Sequence, residues 1–254
     1  MKWMRCRLDG RESWGCLEGD DVLVHEGGLF DSPQPTGERW PLAGVQVLMP
    51  CLPRTMPGLW NNFQALADKN GWARPAEPLY FLKSPGSWNA HGAPIPAPPA
   101  EVGRIGYEGE LAIVIGRRAQ RVAVADAAAH IFGYSCANDV TAIELLNRDP
   151  SFPQWTRAKG FDGFGVVGPV IETDFDLSQA SLRTRVGGRE RQNYPLADMI
   201  FKPDELVSLI SQDLTLEPGD VILCGTSVGV LPMKPGSLVE VEIDGIGLLA
   251  NTFG

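Results

Sequence analysis

The sequence predicts a mixed-β fold with few helices, organised as a small N-terminal β subdomain over residues 1–50 and a larger domain over residues 57–254. Three observations lead there. Residues 1 to about 50 break short apolar runs with turn signals at Asp9-Gly10, Glu18-Gly19-Asp20, Glu26-Gly27-Gly28 and Pro33, which reads as short strands joined by tight turns. Strand-like runs dominate the C-terminal half, where helical periodicity is scarce. No alternation of strand and helix runs along the chain, and no repeat period emerges, so a parallel α/β sheet is not indicated.

In order, Pro57-Gly58-Leu59-Trp60-Asn61-Asn62 opens the larger domain, and Phe63 to Lys69 has helical spacing. Leu79 to Lys83 reads as a short strand, and the Pro- and Gly-rich stretch Ser84 to Pro99 as loop. Asp126 to His130 is alanine-rich and helical, ending at Gly133, and Thr141 to Leu146 is a helical turn. Lys159 to Pro169 holds four glycines and reads as a loop entering a strand. Pro203-Asp204-Glu205-Leu206 starts a clear helix, with proline and acids in its first turn and Val207, Leu209 and Ile210 as its apolar side. Pro218-Gly219-Asp220 turns into the strand Val221 to Cys224, and Ser237 to Asn251 is a hairpin around Asp244-Gly245.

The chain has 254 residues, 44% hydrophobic, enough for a sizeable core. Its net charge of -9, from 22 basic and 31 acidic residues, comes without any Lys/Arg cluster dense enough for a nucleic-acid footprint. No apolar run approaches the roughly 18 residues of a membrane span, and the charged start Met1-Lys2-Trp3-Met4-Arg5 has no signal-peptide core. The five cysteines, Cys6, Cys16, Cys51, Cys136 and Cys224, are scattered without a CxxC pair. They read as buried thiols of a reducing compartment, and the expected location is the cytoplasm.

The chemistry concentrates in Tyr107-Glu108-Gly109-Glu110-Leu111-Ala112-Ile113-Val114-Ile115-Gly116. Leu111 to Ile115 has the length and composition of a buried strand. Residues i and i+2 of a strand share a face, so Glu108 and Glu110 project side by side from its mouth. Two partly buried carboxylates repel, and a divalent cation relieves the repulsion; the plain alternative is a solvated strand end. Asp139, at an element boundary in Cys136-Ala137-Asn138-Asp139-Val140-Thr141, adds a third acid. An all-oxygen set of this kind suits Mg²⁺ or Mn²⁺ with open positions for a substrate that chelates through two oxygens.

Two shorter patterns fail their context. Gly163-Phe164-Gly165-Val166-Val167-Gly168 fits GxGxxG, but Pro169, Val170 and Ile171 follow where a dinucleotide site needs a helix. Gly225-Thr226-Ser227-Val228-Gly229 fits GxSxG, but Pro232 and Pro235-Gly236 rule out a following helix. No histidine lies downstream of that serine, as an α/β-hydrolase order requires. The three histidines, His25, His91 and His130, are too few and dispersed for a histidine-based zinc site.

The ordered set Tyr107-Glu108-Gly109-Glu110-Leu111, Asn138-Asp139-Val140-Thr141, Gln154-Trp155-Thr156-Arg157-Ala158-Lys159-Gly160-Phe161-Asp162 and Gly225-Thr226-Ser227-Val228-Gly229-Val230 resembles the fumarylacetoacetate hydrolase superfamily over roughly residues 57 to 254. The closest likeness is to bacterial members of the 2-hydroxyhepta-2,4-diene-1,7-dioate isomerase kind. The resemblance implies a mixed β-roll core, a small N-terminal domain and a homodimer. It implies a metal at Glu108, Glu110 and Asp139, with Lys159 and Thr226 contacting the oxygens of a 2-oxo acid. Chemically, such a substrate presents its carboxylate and keto oxygens to the metal, which as a Lewis acid stabilises the enolate. Lys159 adds positive charge near the developing oxyanion, and Gln154 is available to position a water or a substrate oxygen.

The sequence departs from the family where hydrolysis is concerned. Hydrolytic members carry a His–Glu pair on a lid helix, and no histidine lies between His25 and His91; Gln64 or Leu66 stands near that place. Ile143 and Leu146 occupy positions that are arginine and glutamine in many members, and Ser227 replaces a usual proline. His91 is the one residue the loop after Ser84 could bring over the site as a substitute base. The expected function is therefore metal-dependent isomerisation or decarboxylation of an unsaturated 2-oxo diacid. C–C hydrolysis of an acylpyruvate and a non-catalytic metabolite-binding role are the alternatives.

Overall fold

The fold is described from a computed structural model covering residues 1–254. The N-terminal stretch forms β1 (Lys2–Leu8), β2 (Arg11–Glu18), β3 (Asp21–Glu26), β4 (Gln34–Pro41) and β5 (Gln46–Leu48). Turns with left-handed glycines at Gly10 (φ 81°) and Gly19 (φ 62°) join the first three, as the Asp-Gly and Gly-Asp signals demand. Then follow β6 (Pro57–Trp60), α1 (Gln64–Asn70), β7 (Leu79–Leu82), β8 (Trp88–Asn89), β9 (Ile105–Gly106) and β10 (Gly109–Ile115). After these come α2 (Val124–Ala127), β11 (Ile131–Asp139), β12 (Thr141–Ala142), α3 (Ile143–Leu146), α4 (Trp155–Lys159) and β13 (Gly165–Glu172). The C-terminal part is β14 (Ser181–Val186), β15 (Arg189–Pro195), α5 (Pro203–Asp213), β16 (Val221–Leu223), β17 (Ser237–Ile243) and β18 (Gly247–Phe253). This is the mixed-β architecture with few helices that the sequence predicts.

One large sheet runs β4-β3-β2-β1-β13-β11-β10-β16-β6-β7, with β5 on β1 and β8 on β13. The N-terminal strands join it through β1, whose Lys2 and Trp3 pair with Glu172 and Ile171 of β13. A second, four-stranded sheet, β15-β14-β17-β18, packs beside it, and β9 pairs with β12. The strand β10 lies between β11 and β16 with every residue buried. Its alternation feeds two cores: Leu111, Ile113 and Ile115 enter the larger apolar cluster, Ala112 and Val114 the smaller one on the opposite face. Each such aliphatic side chain contributes about 1.5–3 kcal/mol by leaving water. No helix is long and apolar enough to cross a membrane.

Three local expectations shift. Thr141 and Ala142 are extended, pairing with Gly106 and Ile105, so the helical turn starts only at Ile143. The Asp126 helix ends at His130 rather than Gly133, because β11 claims Ile131 onwards. In α5 the buried side is Leu206, Val207 and Ile210, while Leu209 is turned outward; the Glu205 carboxylate accepts from the Lys202 backbone N–H (2.8 Å) and caps its start. All five cysteines are free and buried, as their scatter predicts.

Candidate active site

The register of β10 and β11 assembles the acids. Gly109 pairs with Asn138 and Glu110 with Ala137, which sets Glu108 opposite Asp139; the Asp139 N–H donates to the Glu108 carbonyl at 2.9 Å. Cross-strand neighbours on one face stand side by side, so the ligand oxygens of Glu108, Glu110 and Asp139 all lie within 4.8 Å of one another. The glycine between the two glutamates is a spatial requirement: a Cβ on Gly109 would sit 2.1 Å from Thr184 Oγ1. The GxSxG stretch that failed as a nucleophile elbow is the loop closing this corner. Gly225, at φ 85°, donates its N–H to Glu110 Oε2 (2.7 Å), and the Thr226 hydroxyl donates to the Gly109 carbonyl (2.9 Å) while accepting from Gln192 Nε2 (2.8 Å).

Two lysines balance the acids. Lys159, at the C-terminal end of α4, donates to Glu108 Oε2 (2.7 Å) and Asp139 Oδ2 (2.6 Å) with its ammonium 4.9 Å from the centre of the Phe81 ring. Burial pulls this ammonium down, but Asp139, Glu108 and Glu110 outweigh it and hold it above the ordinary lysine range. Lys83, at the end of β7, donates to Asp139 Oδ1 (2.6 Å) and to the Phe164 carbonyl (2.8 Å). Burial takes Lys83 below the ordinary range against the attraction of Asp139. Asp139 itself is fully buried, yet Lys159 and Lys83 together keep its carboxyl below the usual carboxylate range. Glu110 is the exception: burial, with Asp139 and Glu108 beside it, raises it well above that range. The Thr141 hydroxyl donates to Glu108 Oε1 (2.8 Å), completing the shell.

Glu108 opens onto a cavity of about 230 Å³, whose lining combines the polar Asn61, Glu108, Thr141, Lys159 and Thr226 with the apolar Leu59, Trp60, Leu66, Trp72, Phe81, Leu146, Trp155 and Val230. Phe81 and Trp155 stack at 5.1 Å and 8°, and Trp60 meets Trp155 edge-on at 6.3 Å. Lys159 and Thr226 are thus brought to the acids. Gln154 is not: it precedes α4, its N–H donating to the Leu146 carbonyl and its carbonyl accepting from Ala158, and it does not line the cavity. Nor is His91. It lines a separate apolar cavity with Met4 and Leu248, and its Nδ1 accepts from the Ala250 N–H (3.1 Å), because the loop after Ser84 is tied to β18 rather than folded over the carboxylates. On α1, Leu66 faces the cavity, while Gln64 donates to Asp68 Oδ1 (2.7 Å) on the outer side.

Sequence reasoning missed Lys83, Gln192 and the aromatic wall. Strand parity would have found the first two. Lys83 shares a face with the buried Phe81 while Leu82 is exposed, and Gln192 shares one with the buried Tyr194 between exposed neighbours. Trp60, Phe81 and Trp155 come from three separate segments, and no spacing rule joins them.

The residues present fit a divalent metal. When ionised, the three carboxylates against two ammonium groups would leave one net negative charge in a buried place, a state that burial resists at Glu110, and Glu110 Oε1 has no hydrogen-bond partner at all. An unpartnered buried carboxylate oxygen is costly unless a cation meets it, and the donor set is the hard, all-oxygen kind that suits Mg²⁺ or Mn²⁺.

The comparisons agree with this construction. The family described as Fumarylacetoacetate (FAA) hydrolase C-terminal matches residues 56–254, and one described as Rv2993c-like, N-terminal matches residues 1–50. Protein Rv2993c of Mycobacterium tuberculosis is 41% identical over 225 residues, 87% of this chain and 83% of that protein. The 4-hydroxyphenylacetate degradation bifunctional isomerase/decarboxylase of Salmonella dublin is 34% identical over 215 residues, 84% of this chain but 48% of that protein. The crystal structure of 5-carboxymethyl-2-hydroxymuconate delta-isomerase from Mycobacterium smegmatis superimposes with a TM-score of 0.92 at 37% identity, covering 100% of this chain and 99% of that one. With the matched family spanning most of its length, this chain belongs to the fumarylacetoacetate hydrolase superfamily.

Proposed function

We propose that this protein catalyses enolate chemistry on a 2-oxo acid, isomerisation or decarboxylation, with a divalent ion held by Glu108, Glu110 and Asp139. The observation that carries the reading is the acidic trio, with its one unpartnered oxygen on Glu110, whose Glu108 opens onto a cavity walled largely by aromatic side chains. A bound Mg²⁺ or Mn²⁺ would supply Lewis acidity to the two head oxygens of the substrate. The chain's own residues do the rest. Lys159, kept charged by its carboxylate partners, places a positive charge beside the oxyanion as it develops. Thr226, fixed between Gly109 and Gln192, presents its oxygen at the cavity wall. Trp60, Trp72, Phe81 and Trp155 give the cavity a largely apolar wall, which strengthens the charge interactions beside it.

Hydrolysis needs a base to activate water, a contribution of about 10²–10⁴-fold. The cavity holds no histidine, and Leu66 stands on the helix where such a base would sit. An enolate formed there reprotonates, or arises by loss of CO₂ where the substrate carries a β-carboxylate. The bland relative names, isomerase and bifunctional isomerase/decarboxylase, belong to proteins sharing this fold and support the same choice. A cytoplasmic homodimer is part of the proposal, checked by light scattering on the purified protein. The deciding experiment is a panel of 2-oxo acids with and without Mg²⁺, following enol loss in the ultraviolet, CO₂ release and pyruvate release. Metal-dependent enol loss or CO₂ release is expected. Dominant pyruvate release from acylpyruvates would replace the reading with a hydrolase, and binding without any turnover with a metabolite-binding role.

A further inference from the structure

We infer that the far end of the substrate is an uncharged alkyl or aryl group rather than a second carboxylate, and that Trp60, Phe81 and Trp155 select it. The inference rests on the 2-oxo acid reading of the same site, narrows it to the isomerisation branch because decarboxylation needs a second carboxylate, and departs from the diacid expected from the sequence. Lys159 is the sole cation lining the cavity, and its ammonium is already shared between Glu108 and Asp139 at the head. The hydroxyls of Thr141 and Thr226 donate to Glu108 and to the Gly109 carbonyl, and the Asn61 amide donates to the Ala73 carbonyl (3.1 Å). A carboxylate at the far end would meet no counter-charge, and a charge taken out of water without one is strongly disfavoured.

Apolar surface continues outward instead. A groove of about 420 Å³ shares Trp60, Phe81 and Trp155 with the cavity and is otherwise walled by Pro78, Leu79 and Tyr80, with no charged side chain. The stacked Phe81–Trp155 pair with Trp60 edge-on to it forms an aromatic wall, a surface against which a ring or an extended chain packs. Leu146, in α3, lines the cavity as one more apolar wall.

The test uses the Mg²⁺-loaded full chain and four probes in a competition binding assay. Oxalate carries the two-oxygen head without a tail. 2-Oxoglutarate and 2-oxopentanoate have the same chain length and differ at the far end by a carboxylate against a methyl group, and phenylpyruvate carries a ring. Oxalate is expected to bind. 2-Oxopentanoate and phenylpyruvate are expected to bind about tenfold or more tightly than 2-oxoglutarate, the scale of one desolvated group or one aromatic contact. Trp155→Arg is expected to shift that ratio toward 2-oxoglutarate. If oxalate binds but 2-oxoglutarate binds as tightly as its methyl counterpart, the inference is overturned and the head reading stands. If oxalate fails to bind, the 2-oxo acid reading falls and the inference with it. The wild-type ratio decides the matter even if the variant misfolds.

Discussion

Replacing Lys83 with methionine shows how the protein tolerates three carboxylates in one corner. The Lys83 and Asp139 side chains are both wholly buried, 2.6 Å apart. Removing one member of a buried pair costs about 3–5 kcal/mol, because the other is left uncompensated. Methionine fills the stem's volume but also removes the ammonium donor from the Val140 carbonyl and one of two donors from the Phe164 carbonyl, which keeps the Val140 N–H, a loss in the same direction. At about 2–4 °C per kcal/mol for a chain approaching this size, metal-free Lys83→Met melts roughly 6–20 °C below wild type. The same change leaves one ammonium against three carboxylates, so the corner gains a second net negative charge and a stronger claim on a dication. Thermal unfolding followed by circular dichroism across a Mg²⁺ titration, at constant ionic strength, reads both effects. The expected result is a lower starting melting temperature and a larger Mg²⁺-induced rise than in wild type. A variant as stable as wild type, or one whose Mg²⁺-induced rise is no larger, would refute the idea that Lys83 neutralises the acidic corner.

Four further outcomes follow from the same geometry. Lys159→Met lowers kcat by roughly a hundredfold or more on the best substrate, the usual loss when one donor to a developing oxyanion is removed, with the fold checked by circular dichroism. Glu110→Gln keeps an acceptor for the Gly225 N–H but abolishes the Mg²⁺-induced rise in melting temperature, since an amide oxygen is a poor substitute for the carboxylate in a hard-ion site. His91→Ala leaves kcat and KM unchanged in steady-state assays, because His91 is tied to β18 at a different cavity. The native thiols resist a disulfide reagent at pH 8 and all five titrate in denaturant: burial pushes Cys6 up to about 11 and Cys51 and Cys136 up to about 12, so the reactive thiolate is scarce until the pH approaches those values.

The strands, and with them the acidic trio, were legible in the sequence because both depend on short-range rules. Period-two alternation made β10 a buried strand and put Glu108 and Glu110 on one face, and the hairpin at Asp244-Gly245 announced itself by its turn. Asp139 was reachable because it ends the neighbouring strand. Lys83 was hidden by its type: a lysine at a strand end next to a Pro- and Gly-rich loop reads as solvated, and only the exposed Leu82 between Phe81 and Lys83 betrays the inward face. His91 misled for the opposite reason. Its chemistry invited a catalytic role, while its position was decided by hydrogen bonds of Gly92 and Ile95 to Ala250 and Thr252, more than 150 residues away, which no local pattern encodes.

Charge accounting links the acidic corner to the choice of substrate. Glu108, Glu110 and Asp139 against Lys83 and Lys159 leave one negative charge, which a divalent ion would turn into one positive charge. The carboxylate of a 2-oxo acid head then brings the buried site to neutrality, the state that costs least away from water. A second carboxylate on the same substrate would restore an unbalanced negative charge, and it would do so among Trp60, Phe81 and Trp155, where no cation waits for it. A single extra arginine on that wall would reverse the preference. The apolar side chain of Leu146 at the cavity edge is accordingly as informative about the substrate as any of the three carboxylates: they fix the head, and it leaves the tail without a counter-charge.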